Sequence, residues 1–137
     1  AGNHAREIGA IAALTQCLVE YFSRELDAGR TVPTLQPWFV RENKWRAARY
    51  GMDAIIIQNA AGDERLVTED LHELVPRLEP VAADLGCPQE LQDILQIADH
   101  GASYQRQLRV AQAHHGSLKA VVSSLVRELR EGRPTTH

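Results

Sequence analysis

Apolar residues recur at helical spacing along most of this 137-residue chain. Over residues 3–28, Ile8, Ile11, Leu14, Leu18, Phe22 and Leu26 fall on one stripe of a 3.6-residue helix, with Asn3 as a candidate N-cap and Gly29 at the end. A connector over 31–36 contains Pro33. Pro37 suits the first turn of a second helix, which carries Trp38 through Tyr50 and stops at Gly51. The run Ile55-Ile56-Ile57, a turn over 59–63 and Arg65-Leu66-Val67 predict one short β-hairpin inside 53–67.

Thr68 reads as the next helix start, with Glu69 and Asp70 near the positive end of its dipole. Leu71, Leu74, Val75, Leu78, Val81, Ala82 and Leu85 keep the period as far as Gly86. Pro76 and Pro80 interrupt it and predict a kink or two shorter helices. Pro88 opens a helix ending near His100, and another covers 103–114. Ser117 caps a last helix whose broad apolar face is Leu118, Val121, Val122, Leu125, Val126 and Leu129, with Glu128, Arg130 and Glu131 on the other side. The expected fold is all-α: a bundle of five or six helices with one short hairpin, a single helical domain over 1–132 and a flexible tail over 133–137.

Composition narrows the function classes. A net charge of −3 supplies no field for nucleic acid or an anionic membrane. No apolar run approaches the ~18 residues of a transmembrane helix. Cys17 and Cys87 do not make a disulfide framework, and the expectation is a cytoplasmic chain in a reduced state. Ala1 in place of an initiator Met is expected of a processed chain or of a piece of a longer one.

The densest chemistry lies on the second helix. Arg41, Lys44 and Arg49 can share a face, and Arg46 and Asn43 stand beside them. Clustered like charges need neutralising, by a phosphate, a carboxylate or acidic side chains elsewhere. Trp38, Phe39 and Trp45 are better read as packing anchors than as an adenine shelf. Gln105, Arg106 and Arg109 form a second polar cluster. His100, His114 and His115 match no metal-ligand spacing, since neighbouring helical positions point about 100° apart. Cys17, between Leu14 and Leu18, reads as a small buried hydrophobe.

The block Arg41-Glu42-Asn43-Lys44-Trp45-Arg46-Ala47-Ala48-Arg49-Tyr50-Gly51-Met52-Asp53-Ala54 resembles the Glu-Asn-Arg-Trp-Arg-Ala-x-Arg-Tyr-Gly-x-Asp-Ala block of type 2 glutamate–cysteine ligases, also called carboxylate–amine ligases. The stretch ending in Leu85-Gly86 and the turn Gly101-Ala102-Ser103-Tyr104-Gln105-Arg106-Gln107, followed by Gly116 and a closing helix, are similar to later stretches of the same family. Lys44 departs from it, replacing an Arg and losing the planar fork that binds an anion bidentately.

The resemblance implies the C-terminal helical portion of a glutamine-synthetase-like ligase. The intact enzyme would use ATP and Mg²⁺ to make an acyl phosphate that an amine then displaces. It further implies that Arg41, Asn43, Lys44, Arg46, Arg49 and Arg106 are the candidate substrate- or nucleotide-binding residues. No catalytic residue and no metal ligand is assigned to the chain, and ATP and Mg²⁺ are not expected to bind tightly to it alone. The implied partners are the N-terminal catalytic part of the same enzyme and small carboxylate and amine substrates, without nucleic acid or membrane; long apolar helices also permit a homodimer. The competing expectation is a stand-alone helical protein-interaction module without catalysis.

Overall fold

In a computed structural model that describes residues 2–132, the chain forms six α-helices and one two-stranded antiparallel hairpin among those residues. In order they are α1 (Gly2–Asp27), α2 (Pro37–Tyr50), a single 3-10 turn (Gly51–Asp53), β1 (Ile55–Ile57), β2 (Glu64–Leu66), α3 (Val67–Leu85), α4 (Pro88–His100), α5 (Ser103–Ala113) and α6 (Leu118–Glu131). This is the all-α class with a single hairpin that the hydrophobic pattern predicts. The tail expected at 133–137 lies outside the described residues.

Three local expectations shift. Asn3 falls inside the first turn of α1 rather than ahead of it. The second strand begins one residue early, so α3 follows it without a linker and Thr68 lies in the helix instead of capping it. α3 also runs unbroken through Pro76 and Pro80. Each proline lacks an N–H and so frees the carbonyl four residues earlier, on His72 and on Pro76. His72, Pro76 and Pro80 all lie on the exposed side of α3, where water takes those carbonyls and the helix persists.

The core lies between α1, α3 and α4. Ala10 and Cys17 pack with Val75, Leu78, Val81, Ala82, Leu91 and Ile94. The buried face of α1 is therefore built from small residues, Ala10, Ala13 and Cys17, flanked by half-buried Leu14, Leu18 and Tyr21. It is rotated away from the stripe of largest hydrophobes. Ile8 (66% exposed), Ile11, Val19, Phe22 and Leu26 face outward. Small side chains let the neighbouring helices approach α1 closely, and that contact outweighs the larger residues' claim on the interior.

The other end of the bundle is organised by a charge. Arg106 on α5 is 2% exposed. Its Nε donates to Glu128 Oε1 on α6 at 3.0 Å, one Nη to Glu7 Oε1 on α1 at 2.6 Å, and the other Nη to the Gly101 carbonyl at 2.6 Å. One guanidinium thus joins three helices and the α4–α5 turn. Glu128, expected on the outer side of α6, is buried because Arg106 needs its carboxylate. α6 consequently turns Val121, Ser124 and Glu128 inward and leaves Leu118, Val122, Val126 and Leu129 exposed. The expected Ser117 cap is present, its hydroxyl accepting from the Ala120 N–H at 3.2 Å. Asp93, also buried, is held by Arg6 at 3.2 Å and by Gln89.

Removing the central charge of a buried network leaves its partners less well compensated. Arg106→Met takes the guanidinium away from the Glu7 and Glu128 carboxylates and the Gly101 carbonyl, and is expected to destabilise the fold by about 3–5 kcal/mol. Urea unfolding monitored by far-UV circular dichroism reads this as a lower midpoint with an unchanged slope.

Candidate functional site

α2 has no buried residue and packs on the hairpin and the 3-10 turn rather than on the helical core. Its inner face is stitched to β1 by two side chains. Asn43 Nδ2 donates to the Ile57 carbonyl at 2.9 Å, and the Ile57 N–H donates to Asn43 Oδ1 at 2.7 Å, so the amide pairs with β1 as a neighbouring strand would. Arg46 Nη1 donates to the Ile55 carbonyl and to Glu64 Oε1, and its Nε to Glu42 Oε1, each at 3.0 Å. The hydrogen bonds to Glu42 and then to Glu64 hold the guanidinium above its ordinary range. In the hairpin Ile55 pairs with Leu66 and Ile57 with Glu64, and that register brings the Glu64 carboxylate to Arg46.

The end of α2 is tied to α5. Gln105 Oε1 accepts from the Met52 and Ala102 N–H groups, and its Nε2 donates to Asp53 Oδ2 at 2.9 Å and to the Tyr50 carbonyl. Gly51 lies at the crossing with φ of +56°, and a Cβ there would meet Tyr104 Oη at 2.8 Å and Gln105 Oε1 at 2.9 Å. Glycine is required both by the left-handed backbone and by the close approach.

The outer face of α2 is different in kind. Arg41 and Lys44 are exposed, and neither has a hydrogen bond or ion pair to any described residue. Trp38 and Trp45 are more than half exposed. Trp45 meets Tyr50 edge to face at 6.0 Å, and the Arg49 guanidinium lies over the Tyr50 ring at 5.2 Å. Between the end of α2 and the hairpin, Trp45, Arg46, Tyr50, Asp53, Ile55 and Glu64 line a cleft of about 370 Å³. That volume suits a small ligand.

The structure therefore sorts the six candidate residues. Arg41, Lys44 and Arg49 are all exposed, with Arg49 lying over Tyr50; Asn43 and Arg46 lie on the inner face and fasten it; Arg106 lies apart, inside the bundle. Gln105 and Arg109, grouped with Arg106 in sequence, turn elsewhere: Gln105 to the end of α2, and Arg109 to the His100 carbonyl. Asp53 and Glu64 enter the cleft without having been singled out, since isolated carboxylates in a hairpin carry no signal until its register is known. A second cleft of about 620 Å³ lies on α3 and α4, where His72 Nε2 is 2.8 Å from Asp99 Oδ1, a pair that no spacing announces. Among the described residues no group of three or more His, Cys, Asp or Glu side chains could hold a metal ion. No helix among them is long and apolar enough to cross a membrane.

The model of the family described as Glutamate-cysteine ligase family 2 (GCS2) matches residues 1–124. The chain is 66% identical over 126 residues to "Putative glutamate--cysteine ligase 2-2" of Paenarthrobacter aurescens, covering 92% of this chain and 33% of that protein. It is 64% identical over 126 residues to a "Putative glutamate--cysteine ligase 2" of Clavibacter michiganensis, with the same coverage of both. A protein of that name from Mycobacterium tuberculosis is 59% identical over 127 residues, covering 93% of this chain and 34% of its own length. The chain thus spans about a third of the length of the curated relatives it matches. No solved structure matches it.

The Asn43 clamp gives a direct check on how α2 is held. Asn43→Ala leaves the Ile57 N–H and carbonyl without their partner, and is expected to lower unfolding free energy by about 1–3 kcal/mol. Amide exchange measured by NMR should locate the lost protection at Ile57.

Proposed function

The chain belongs to glutamate–cysteine ligase family 2, and on that premise we propose that it is the helical C-terminal part of a cytoplasmic, ATP-dependent carboxylate–amine ligase, with the outer face of α2 turned toward the substrates. The observation that carries this reading is Arg41 with Lys44, two exposed cations about one turn apart without a partner among the described residues. Like charges at that spacing repel, and an anion between them removes the repulsion.

In this reading ATP, bound with Mg²⁺, supplies the phosphoryl group that turns the substrate carboxylate into an acyl phosphate, from which an amine displaces phosphate. Arg41 and Lys44 offset negative charge on the carboxylate or on the transferring phosphoryl oxygens. Arg49, stacked on Tyr50, adds a third positive charge on the exposed part of α2. Asn43 and Arg46 keep α2 at a fixed angle on the hairpin, so the cations are held ready rather than ordered at each turnover. Arg106 acts at a distance, by fixing the bundle to which Gln105 ties the end of α2. In this reading Mg²⁺ is held by the N-terminal catalytic part of the protein, and the cations of α2 serve the anionic groups. The relatives' names make glutamate and cysteine the first carboxylate and amine to try.

The alternative, a stand-alone helical interaction module, is less well supported. Trp38 and Trp45 on α2, Ile8 and Leu26 on α1 and Leu118 on α6 are all more than half exposed in the chain taken by itself. The family relatives, about three times as long as this chain, favour one part of a larger protein over a free-standing module.

In the full-length enzyme, Arg41→Ala and Lys44→Ala are each expected to lower kcat/KM for the carboxylate or for ATP by about 10- to 100-fold, the loss of one charge-assisted hydrogen bond. The Tm should stay within about 2 °C of the parent, since neither side chain has a partner to lose. A coupled assay of ADP release with glutamate and cysteine reads the first quantity. Unchanged kcat/KM in both alanine variants would remove this face from the site.

A further inference from the structure

Two thiols distant in sequence meet inside the fold. Cys17 Sγ on α1 lies 3.8 Å from Cys87 Sγ, across 70 residues of chain, and both are free. Cys17 is fully buried among Ala10, Leu78 and Leu91. Cys87 is half-buried in the corner between α3 and α4, directly ahead of Pro88. We propose that Cys17 and Cys87 form a redox modification site, which a small-molecule disulfide converts into an intramolecular cystine fastening α1 to the α3–α4 corner.

The geometry is close to what the bond requires. A disulfide needs its sulfurs at about 2.05 Å, so closing the gap takes less than 2 Å of movement shared by two side chains. A solvent-borne disulfide reaches the half-buried thiol first. The Cys87 thiolate attacks one sulfur of the small disulfide, forming a mixed disulfide and expelling one small thiolate. Cys17 then loses its proton and attacks the Cys87 sulfur, closing the Cys17–Cys87 bond and expelling the second thiolate. Two protein thiols are oxidised, one small disulfide is reduced, and the two protons lost by Cys87 and Cys17 go to the two expelled thiolates, which leave as thiols.

The second step is slow but favoured by proximity. Burial, followed by the hydrogen bond and charge of Cys87, pushes the Cys17 thiol up to about 11 from 9.0. The thiolate fraction at neutral pH falls roughly a hundredfold for that shift, while the greater nucleophilicity of the more basic sulfur restores roughly tenfold. A tenfold net penalty is small beside the advantage of a partner already in contact over one that must diffuse in. Once formed, the bond closes a loop of about seventy residues and restricts the unfolded chain. This pair belongs to the core alone and stands whether or not α2 serves a ligase site.

The test uses the reduced full-length enzyme, incubated with glutathione disulfide over a range of reduced-to-oxidised ratios, alkylated and digested for mass spectrometry. The expected result is a Cys17–Cys87 linked peptide in the majority of molecules, a Tm raised by several degrees, and a closing rate that climbs about tenfold per pH unit between pH 7 and 9. Cys17→Ala should hold Cys87 as a glutathione mixed disulfide with no gain in Tm. Should that variant fail to fold, Cys87→Ser provides the second arm, in which Cys17 stays reduced under the same conditions. Recovery of Cys87 only as a mixed disulfide in the parent enzyme, with Cys17 alkylated only after denaturation, would overturn the proposal.

Discussion

A guanidinium withdrawn from water must be met by anions and carbonyls, and the bundle is arranged around that demand at Arg106. Glu7 arrives from α1, Glu128 from α6 and a carbonyl from Gly101, so the charge on α5 fixes the rotation of two other helices about their axes. The desolvation of three charged groups is offset only when all three are in place. That condition turns Glu128 inward and moves part of the apolar face of α6 outward. On α1 it acts together with the close packing of Ala10 and Cys17 against α3 and α4, and the larger hydrophobes Ile8, Ile11 and Leu26 are left outside.

The same logic separates scaffold from site in α2. This helix draws no stability from a buried apolar face, so its position depends on polar stitches: Asn43 and Arg46 to β1, and Gln105 from α5 to the last turn. Residues committed to those stitches have few donors left for a ligand. Arg41 and Lys44, on the far side, have all of theirs. In the proposed ligase, a helix held by polar contacts presents cations that the rest of this chain does not use.

Element order was largely legible in the sequence, because glycines and prolines punctuate it: Gly51 and Gly86 stop helices, and Pro37 and Pro88 open them. The family was legible in the block over 41–54. Which helical face would be buried was not. The pattern selects the largest hydrophobes, whereas α1 buries its smallest residues and α6 buries a carboxylate, and both choices depend on partners on other helices. α3 passed through two prolines because the carbonyls they free lie on its exposed side, a fact about tertiary placement. At the site, the density of cations on α2 was visible, but its division into fastening and free residues required the hairpin register. Cys17 was legible as a buried small residue, and its neighbour Cys87 was not.

In the proposed ligase the outer face of α2 is the wall of a substrate site completed by the remainder of the protein. A structure of the full-length enzyme with Mg·ADP and the carboxylate substrate bound tests it most directly. Arg41 and Lys44 should then lie in ion-pair contact with the phosphate or carboxylate oxygens, and Trp38 and Trp45 should be covered by the remainder of the protein. Ligands bound far from α2, with Arg41 and Lys44 still in open solvent, would contradict it.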